Sequence, residues 1–159
     1  TLAIALEKVL HDKGIIAQVL DGDNIRAGIN SNLGFSNSDR EENIRRIAEV
    51  SKLFVSCGII TINCFVSPTI KIRELAKSII GPDDFIEIYI NSPLEVCENR
   101  DVKGLYKKAR SGQIPNFTGV DSEFEPPDNP ELEVNSSDLS IQESVSLLTE
   151  YLIPIFSVR

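Results

Sequence analysis

The residues best suited to chemistry lie in one stretch, Leu20–Arg46, where a short apolar run gives way to charged side chains. Asp21 and Asp23 follow the apolar run directly. Paired carboxylates suit a divalent cation that keeps several waters and bridges phosphates. The same stretch holds Arg26 and Arg40, and guanidinium groups bind planar oxyanions through two parallel hydrogen bonds. The sequence therefore predicts phosphate chemistry.

Two phenylalanines, Phe35 and Phe117, stand in polar, glycine-containing segments without apolar periodicity. A phenylalanine usually belongs to the core, but nothing in these surroundings predicts a buried helix or strand face. Aromatic rings in such loops are suited to stacking on a nucleobase. We therefore interpret both rings as candidates for stacking on a nucleobase.

Composition and charge restrict the range of partners. The chain has 159 residues, a net charge of −8 and a sequence pI near 4.7. An acidic protein is not attracted broadly to nucleic acid or anionic membrane, so any anion must meet a local basic cluster. There is no apolar run of membrane-spanning length and no signal peptide. We expect a cytoplasmic protein with neither nucleic-acid nor membrane partners.

Histidine and cysteine chemistry is not expected. His11 is the only histidine, which excludes a His-rich metal site and makes histidine catalysis improbable. The three cysteines are widely spaced and lie in or beside apolar segments, which favours small core residues over a disulfide or a metal site.

Strand and helix patterns alternate along the first hundred residues. Such alternation predicts a parallel sheet, whose ligands bind at the carboxyl ends of the strands. The predicted strands are 15–20, 59–66, expected to be buried on both faces, and 85–90. The predicted helices are 1–13, 39–57 with Asp39 as N-cap, 69–80 and 93–100.

The last third of the chain has a different character. Residues 112–130 hold four of the eight prolines and show no periodicity, which predicts a long irregular loop of the kind that covers binding sites. A short strand at 132–134 and an amphipathic helix at 141–156 are predicted to follow. Because a doubly wound domain normally opens with a strand and a tight loop, we expect both to precede the first helix.

Four motifs, DGDNIR, LGFS, DREENIRR and RDVKGLY, occur together in order and at consistent spacing. With FVSP at 65–68 and FTGVD at 117–121, they make the chain resemble the adenylyl-sulfate kinase (APS kinase) family over nearly its whole length. A single motif is weak evidence, whereas the full set is specific.

The resemblance implies a P-loop NTPase-like three-layer α/β/α fold with a mainly parallel sheet, forming one domain over 1–159 with a substrate lid at 112–130. It implies transfer of the γ-phosphoryl group of ATP, with Mg²⁺, to the 3′-hydroxyl of adenylyl sulfate, giving PAPS. Family members are commonly homodimers, and some are fused to ATP sulfurylase. The family's phosphate-binding loop is expected immediately before Thr1.

Residue roles follow from the same resemblance. Asp23, Lys103 and Ser67 are the expected catalytic residues, although direct in-line transfer needs no phosphoserine at Ser67. Asp21 is expected to hold the Mg²⁺ shell through water, while Thr1 and Arg100 contact ATP. Substrate binding is assigned to a larger set: Asp21, Arg26, Phe35, Arg40, Asn43, Ile62, Asn63, Ser67, Lys103, Gly104, Leu105 and Phe117. The resemblance implies that Arg26 and Arg40 bind the phosphate–sulfate end of adenylyl sulfate, with Asn43 adding amide hydrogen bonds, and that Phe35 and Phe117 stack on the adenine. Arg40 and Asn43 are three residues apart and share a helical face.

Two alternatives stay open at this stage. Another small-molecule P-loop kinase is possible, although a sugar or shikimate kinase has no use for two stacking phenylalanines. A nucleotide-binding regulatory module of the same fold is the other alternative, and the segment before Thr1 would distinguish it from an enzyme.

Overall fold

The computed structural model of the protein describes residues 1–156; residues 157–159 of the predicted domain lie outside the described residues. Four strands occur in it, namely β1 (Ala17–Asp21), β2 (Ile60–Cys64), β3 (Ile88–Asn91) and β4 (Leu132–Asn135). Seven α-helices accompany them in this part of the chain: α1 (Leu2–Asp12), α2 (Gly22–Ala27), α3 (Asn37–Ser56), α4 (Ile70–Ile80), α5 (Leu94–Arg100), α6 (Leu105–Arg110) and α7 (Ile141–Phe156). A 3₁₀ turn at Pro82–Asp84 precedes β3.

The strands pair in parallel, as the alternation predicts. β1 lies beside β2 with Asp21 opposite Cys64, and β3 lies beside β4 with Asn91 opposite Asn135. Among the described residues these are two separate hydrogen-bonded pairs. Since parallel strands run the same way, the segments that follow β1 and β2 leave from one edge. The α/β fold class is confirmed.

The main core lies where α1 and α7 pack against the strands. Its buried side chains come from α1, β1, β4 and α7: Leu6, Leu10, Ala17, Val134, Leu148 and Leu152. The single histidine serves this packing, because the Nε2 of His11 lies 2.8 Å from the carbonyl oxygen of Ala17 at the start of β1. His11 thus has a structural partner outside the charged stretch.

The prediction that β2 is buried on both faces is wrong. Ile60 and Ile62 pack against the core, but Asn63 is exposed on the strand and accepts a 3.1 Å hydrogen bond from Ser51 of α3. The physical reason is the alternation of side chains along a strand, which places Thr61 and Asn63 together on the face opposite the isoleucines.

The predicted N-cap of α3 is also wrong. Ser36, not Asp39, occupies the N-cap position, and its hydroxyl accepts from the Asp39 amide while the Asp39 carboxylate accepts from the Ser36 amide. This reciprocal capping box provides partners for two backbone N–H groups, so the helix begins at Asn37, two residues before Asp39. The side-chain bond with Ser36 is the main reason that the pKa of Asp39 falls below its usual value.

The 112–130 segment is irregular, as predicted. Its only bridge, between Thr118 and Ser122, closes a short turn within the segment. No helix within residues 1–156 combines the length and apolar character that crossing a bilayer demands.

Candidate active site

The site begins where β1 ends. Asp21 caps α2, a short helix that the sequence did not predict, by accepting from the Asn24 amide at 2.9 Å and the Asn24 side chain at 3.0 Å. Both carboxylate oxygens are used, which agrees with a turn-forming role for this aspartate. The cap also fixes the direction in which α2 carries Asp23.

Asp23 of α2 pairs with Lys103, which lies in the connection between α5 and α6. Both side chains are largely exposed, at 79% for the carboxylate and 59% for the ammonium group. Exposed pairs contribute little to stability, because solvent screens them and both side chains lose entropy. Asp23 and Lys103, both predicted to be catalytic, therefore lie in contact, but their ion pair is weak enough to separate.

The turn after Lys103 is shaped by its neighbours. Gly104 has a φ of +66°, in the left-handed region that favours glycine. The carboxylate of Asp101 accepts from the amides of Tyr106 and Lys107, each at 3.1 Å. Burial by itself would raise the pKa of Asp101, but these backbone bonds outweigh it and lower the pKa. The turn is thus fixed independently of the Asp23–Lys103 pair.

Arg26 organises the loop that carries Phe35. Its Nη1 donates to the carbonyl oxygens of Leu33 at 3.0 Å and Gly34 at 2.9 Å. The guanidinium carbon lies 4.4 Å from the centroid of the Phe35 ring, within cation–π range. The ring is 58% exposed, so it offers an aromatic face to a ligand.

Arg40 joins this loop to the 112–130 segment. Its Nε donates to the Phe35 carbonyl at 3.1 Å, its Nη1 to the Thr118 hydroxyl at 3.1 Å and its Nη2 to the Asn116 carbonyl at 2.6 Å. Burial first, and then the positive charge of Arg26, lowers the pKa of Arg40. An arginine stays charged in spite of this, so two cations are held near one another, which favours an anion between them.

Phe117 is presented by a tight turn. Asp121 accepts from the amides of Asn116, at 2.8 Å, and Phe117. Asn116 adopts the left-handed conformation, with φ of +57°, which asparagine tolerates better than most residues. The Phe117 ring meets Tyr106 edge to face, with centroids 5.0 Å apart and planes at 72°. Tyr106 is thus a candidate site residue that the sequence did not reveal, because a tyrosine in a helix usually packs into the core.

A shallow cleft of about 310 Å³ gathers several predicted residues on one surface. Its lining consists of Cys97, Arg100, Asp101, Val102, Lys103, Leu105, Tyr106 and Phe117. Arg100 is anchored there by a 2.7 Å bond from its Nη2 to the Ser136 carbonyl. The structure thus places Arg100, Lys103, Leu105 and Phe117 around one space.

Ser67 follows β2 in a left-handed conformation, with φ of +42°. Arg73 holds it there by donating from Nη1 to the Ser67 carbonyl at 2.8 Å. The Arg73 side chain is only 12% exposed, and its Nε lies 2.8 Å from the carboxylate of Glu87. A strained backbone at this edge, held by a half-buried arginine, fits a functional position. No pattern in the sequence indicated Arg73.

The remaining predicted residues are Asn43, Ile62, Asn63 and Thr1. Asn43 is 4% exposed and its Oδ1 accepts from Asn30, while Ile62 packs against the core. Asn63 bonds to Ser51 and Thr61, and Thr1 is an exposed N-cap without a side-chain cap bond. No hydrogen bond found within residues 1–156 joins Ile62, Asn63 or Thr1 to the charged groups of the site.

The parallel α/β fold, with carboxylates, guanidinium groups and an aromatic loop at the edge where β1 and β2 end, defines a protein of the P-loop NTPase-like kinase class. The chain belongs to the adenylylsulphate kinase family, whose sequence profile matches residues 1–135. The resemblance drawn from the motifs is therefore confirmed.

Individual relatives agree with this family. An adenylyl-sulfate kinase of Bacteroides thetaiotaomicron is 60% identical over 154 residues, covering 97% of this chain and 77% of the relative. That of Clostridium acetobutylicum is 53% identical over 152 residues, covering 96% and 76%. Among solved structures, the Mycobacterium tuberculosis APS kinase CysC in complex with AMPPNP and APS superposes with a TM-score of 0.91 at 44% identity, covering 95% of this chain and 88% of that one.

Proposed function

We propose that this protein transfers the γ-phosphoryl group of ATP to the 3′-hydroxyl of adenylyl sulfate, giving PAPS and ADP for sulfate assimilation. The observation that carries the proposal is the Arg40 bridge, which binds the Phe35 loop and both neighbours of Phe117. One guanidinium group therefore connects the two rings assigned to adenine with the charge assigned to the sulfate end.

Substrate binding follows from the remaining hydrogen-bonding capacity of the arginines. A guanidinium group has five N–H donors, and Arg40 uses three of them within the protein. Arg26 uses only its Nη1 in the bonds described above. The remaining donors suit the phosphate–sulfate group, while Phe35 and Phe117 stack on the base.

The chemistry assigned to Asp23 and Lys103 requires positioning more than strong basicity. Phosphoryl transfer has a loose transition state, in which charge develops on the transferring group. Asp23 orients the 3′-hydroxyl and accepts its proton, and Lys103 turns from Asp23 to the transferring phosphoryl oxygens. Because the pair is exposed, the turn requires no burial of an unpaired charge. Ser67, held by Arg73, contacts substrate without forming a covalent intermediate.

The donor set at the end of β1 fits Mg²⁺ bound mainly through water and phosphate. Mg²⁺ keeps several waters and needs only one or two carboxylates, and the oxygens of Asp21 retain lone pairs beside their bonds to Asn24. When bound with ATP, the ion supplies charge neutralisation for the phosphates. Thr1 and Arg100 are assigned to ATP, and the 112–130 segment to the lid that closes over substrate.

The test is a coupled assay on the full-length protein with ATP, Mg²⁺ and adenylyl sulfate, detecting ADP and PAPS together. Adenosine 5′-monophosphate, shikimate and a hexose serve as competing acceptors. We expect ADP to form rapidly only with adenylyl sulfate. Tight binding of adenylyl sulfate without any transfer would instead identify a regulatory module, and transfer to another acceptor would identify a different kinase.

The proposal extends to the assembly and location that the resemblance implies, a cytoplasmic homodimer, alone or fused to ATP sulfurylase. Light scattering on the eluting protein tests the dimer, since a monomer mass at micromolar concentration would contradict it.

A further inference from the structure

A buried amide pair joins the connection between α2 and α3 to α3 itself. Asn30, in the connection between α2 and α3, is fully buried, and Asn43 on α3 is 4% exposed. The Nδ2 of Asn30 donates to the Oδ1 of Asn43 at 3.0 Å and approaches its backbone carbonyl at 3.5 Å. Arg46 completes the cluster, because its Nη1 donates to the Oδ1 of Asn30 at 3.3 Å.

The orientation of the Asn30 amide is fixed from both ends. Arginine can only donate, so the end of Asn30 that faces Arg46 must be its oxygen. The backbone carbonyl of Asn43 can only accept, so the end of Asn30 that faces Asn43 must be its NH₂ group. If the amide were reversed, its NH₂ group would face the N–H donors of Arg46 and its oxygen would face the Asn43 carbonyl oxygen, so neither hydrogen bond could form.

This orientation is passed on to Asn43. The NH₂ group of Asn30 donates to the Oδ1 of Asn43. The Asn43 amide is planar, so its own NH₂ group points away from Asn30. Asn43 lies one helical turn from Arg40 on the same face of α3. We propose that Arg46 and Asn30 are positioning residues that keep Asn43 as a hydrogen-bond donor toward the anionic end of adenylyl sulfate. This inference rests on the proposed function.

Arg46 is well held for such a role. Its Nε lies 2.7 Å from the Oε1 of Glu42, and its Nη1 also donates to the Ile29 carbonyl at 3.2 Å and the Asn32 side chain at 2.9 Å. Its side chain is 28% exposed, so these bonds are partly shielded from water. The neighbouring Arg45 binds Glu42 as well, at 2.7 Å, but points along the helix to Glu49. Arg45 is therefore a matched control that shares a partner and lacks the contact with Asn30.

The decisive variant is Asn30→Asp. A carboxylate still accepts from Arg46 but offers no N–H, so the Asn43 amide must rotate and donate its NH₂ to the new carboxylate. Its oxygen then faces the anion. Losing one hydrogen bond to a charged group and gaining a repulsive contact weakens adenylyl sulfate binding by about 10- to 100-fold.

The readout compares two ligands in the full-length protein. Titration calorimetry gives the Kd of adenylyl sulfate, and an NMR titration gives the Kd of adenosine, which stacks on the same rings but carries no anion. We expect Asn30→Asp to weaken adenylyl sulfate about 10- to 100-fold and adenosine by less than about twofold. Equal weakening of both ligands, or unchanged affinity for adenylyl sulfate in a folded variant, would overturn the inference.

A second pair of variants guards against misfolding of Asn30→Asp. Arg46→Met removes the donor that orients Asn30 and keeps an aliphatic stem, whereas Arg45→Met removes the control arginine. We expect selective weakening of adenylyl sulfate in Arg46→Met and none in Arg45→Met; indistinguishable affinities would refute the role of Arg46. If the wild-type protein binds adenosine as tightly as adenylyl sulfate, the proposed function itself fails, and the inference fails with it.

Discussion

Arg40 offers the sharpest test of how the site closes, through the substitution Arg40→Lys. Lysine keeps the positive charge, but one ammonium group cannot reach the Phe35 carbonyl, the Asn116 carbonyl and the Thr118 hydroxyl at once. We expect the ammonium group to keep the bond to the nearby Phe35 carbonyl and to lose the two bonds to the 112–130 segment. At about 1 to 1.5 kcal/mol each, and discounted because the side chain is partly exposed to water, the loss is about 2 kcal/mol. The open population of the 112–130 segment then rises about 30-fold.

Limited chymotrypsin digestion measures this population, since Phe117 and Phe124 lie within the segment. When opening is fast relative to cleavage, the cleavage rate follows the open fraction. We expect Arg40→Lys to be cut there about 30-fold faster than wild type. Arg26→Lys is the control, because Arg26 bonds to residues 33–34 and stacks on Phe35. Equal cleavage of Arg40→Lys and wild type, with unchanged circular dichroism, would show that Arg40 supplies charge only.

Three further predictions concern single carboxylates and Lys103. Glu125 accepts a 2.6 Å hydrogen bond from the Ile70 amide, the first amide of α4, where a negative charge stabilises the helix. Glu125→Gln should therefore lower Tm by about 2–4 °C. Glu123→Gln, at an exposed position of the same segment, should leave Tm unchanged. Bonds from Arg45 and then Arg46 lower the pKa of Glu42 to about 2 from 4.5, so its stabilisation is present above pH 4.5 and is lost as the pH falls toward 2. Chemical denaturation should therefore show wild type losing its advantage over Glu42→Gln across that window, and a constant difference would contradict the pairing. Lys103→Met should lower kcat about 100-fold with little change in the KM for ATP. Lys107→Met, at an exposed position nearby, is the control. Equal effects of the two substitutions would show that Lys103 does not take part in the reaction.

Local patterns were enough to predict most of the fold. The apolar periodicity of α7 predicted its bounds, Ile141–Phe156, and Thr69 caps α4 at the predicted boundary. The six-residue helix α2 was missed because it is shorter than two turns and begins with a glycine, so no periodicity could reveal it.

The site was predicted only in part, for a related reason. Asp23 and Lys103 were assigned through motifs, and the structure brings them together across 80 positions of sequence. Asn30 and Arg46 carry no local signal, because an asparagine in a turn and an arginine on a charged helix face are both ordinary. Their meaning lies in a contact across 16 positions, which only the packed loop creates.

The two anchors of the 112–130 segment determine how fast the span between them can close. At one end the Gln113 amide is bonded to the Lys108 carbonyl at 2.9 Å, and at the other the Glu125 amide is bonded to the Pro68 carbonyl at 2.8 Å. The span between them is therefore only about ten residues, and a chain of that length closes on itself in roughly 10–100 ns. Small kinases turn over at about 1–100 per second, so the segment can search for Arg40 many thousands of times within one cycle. Closing of this span is therefore not expected to limit turnover.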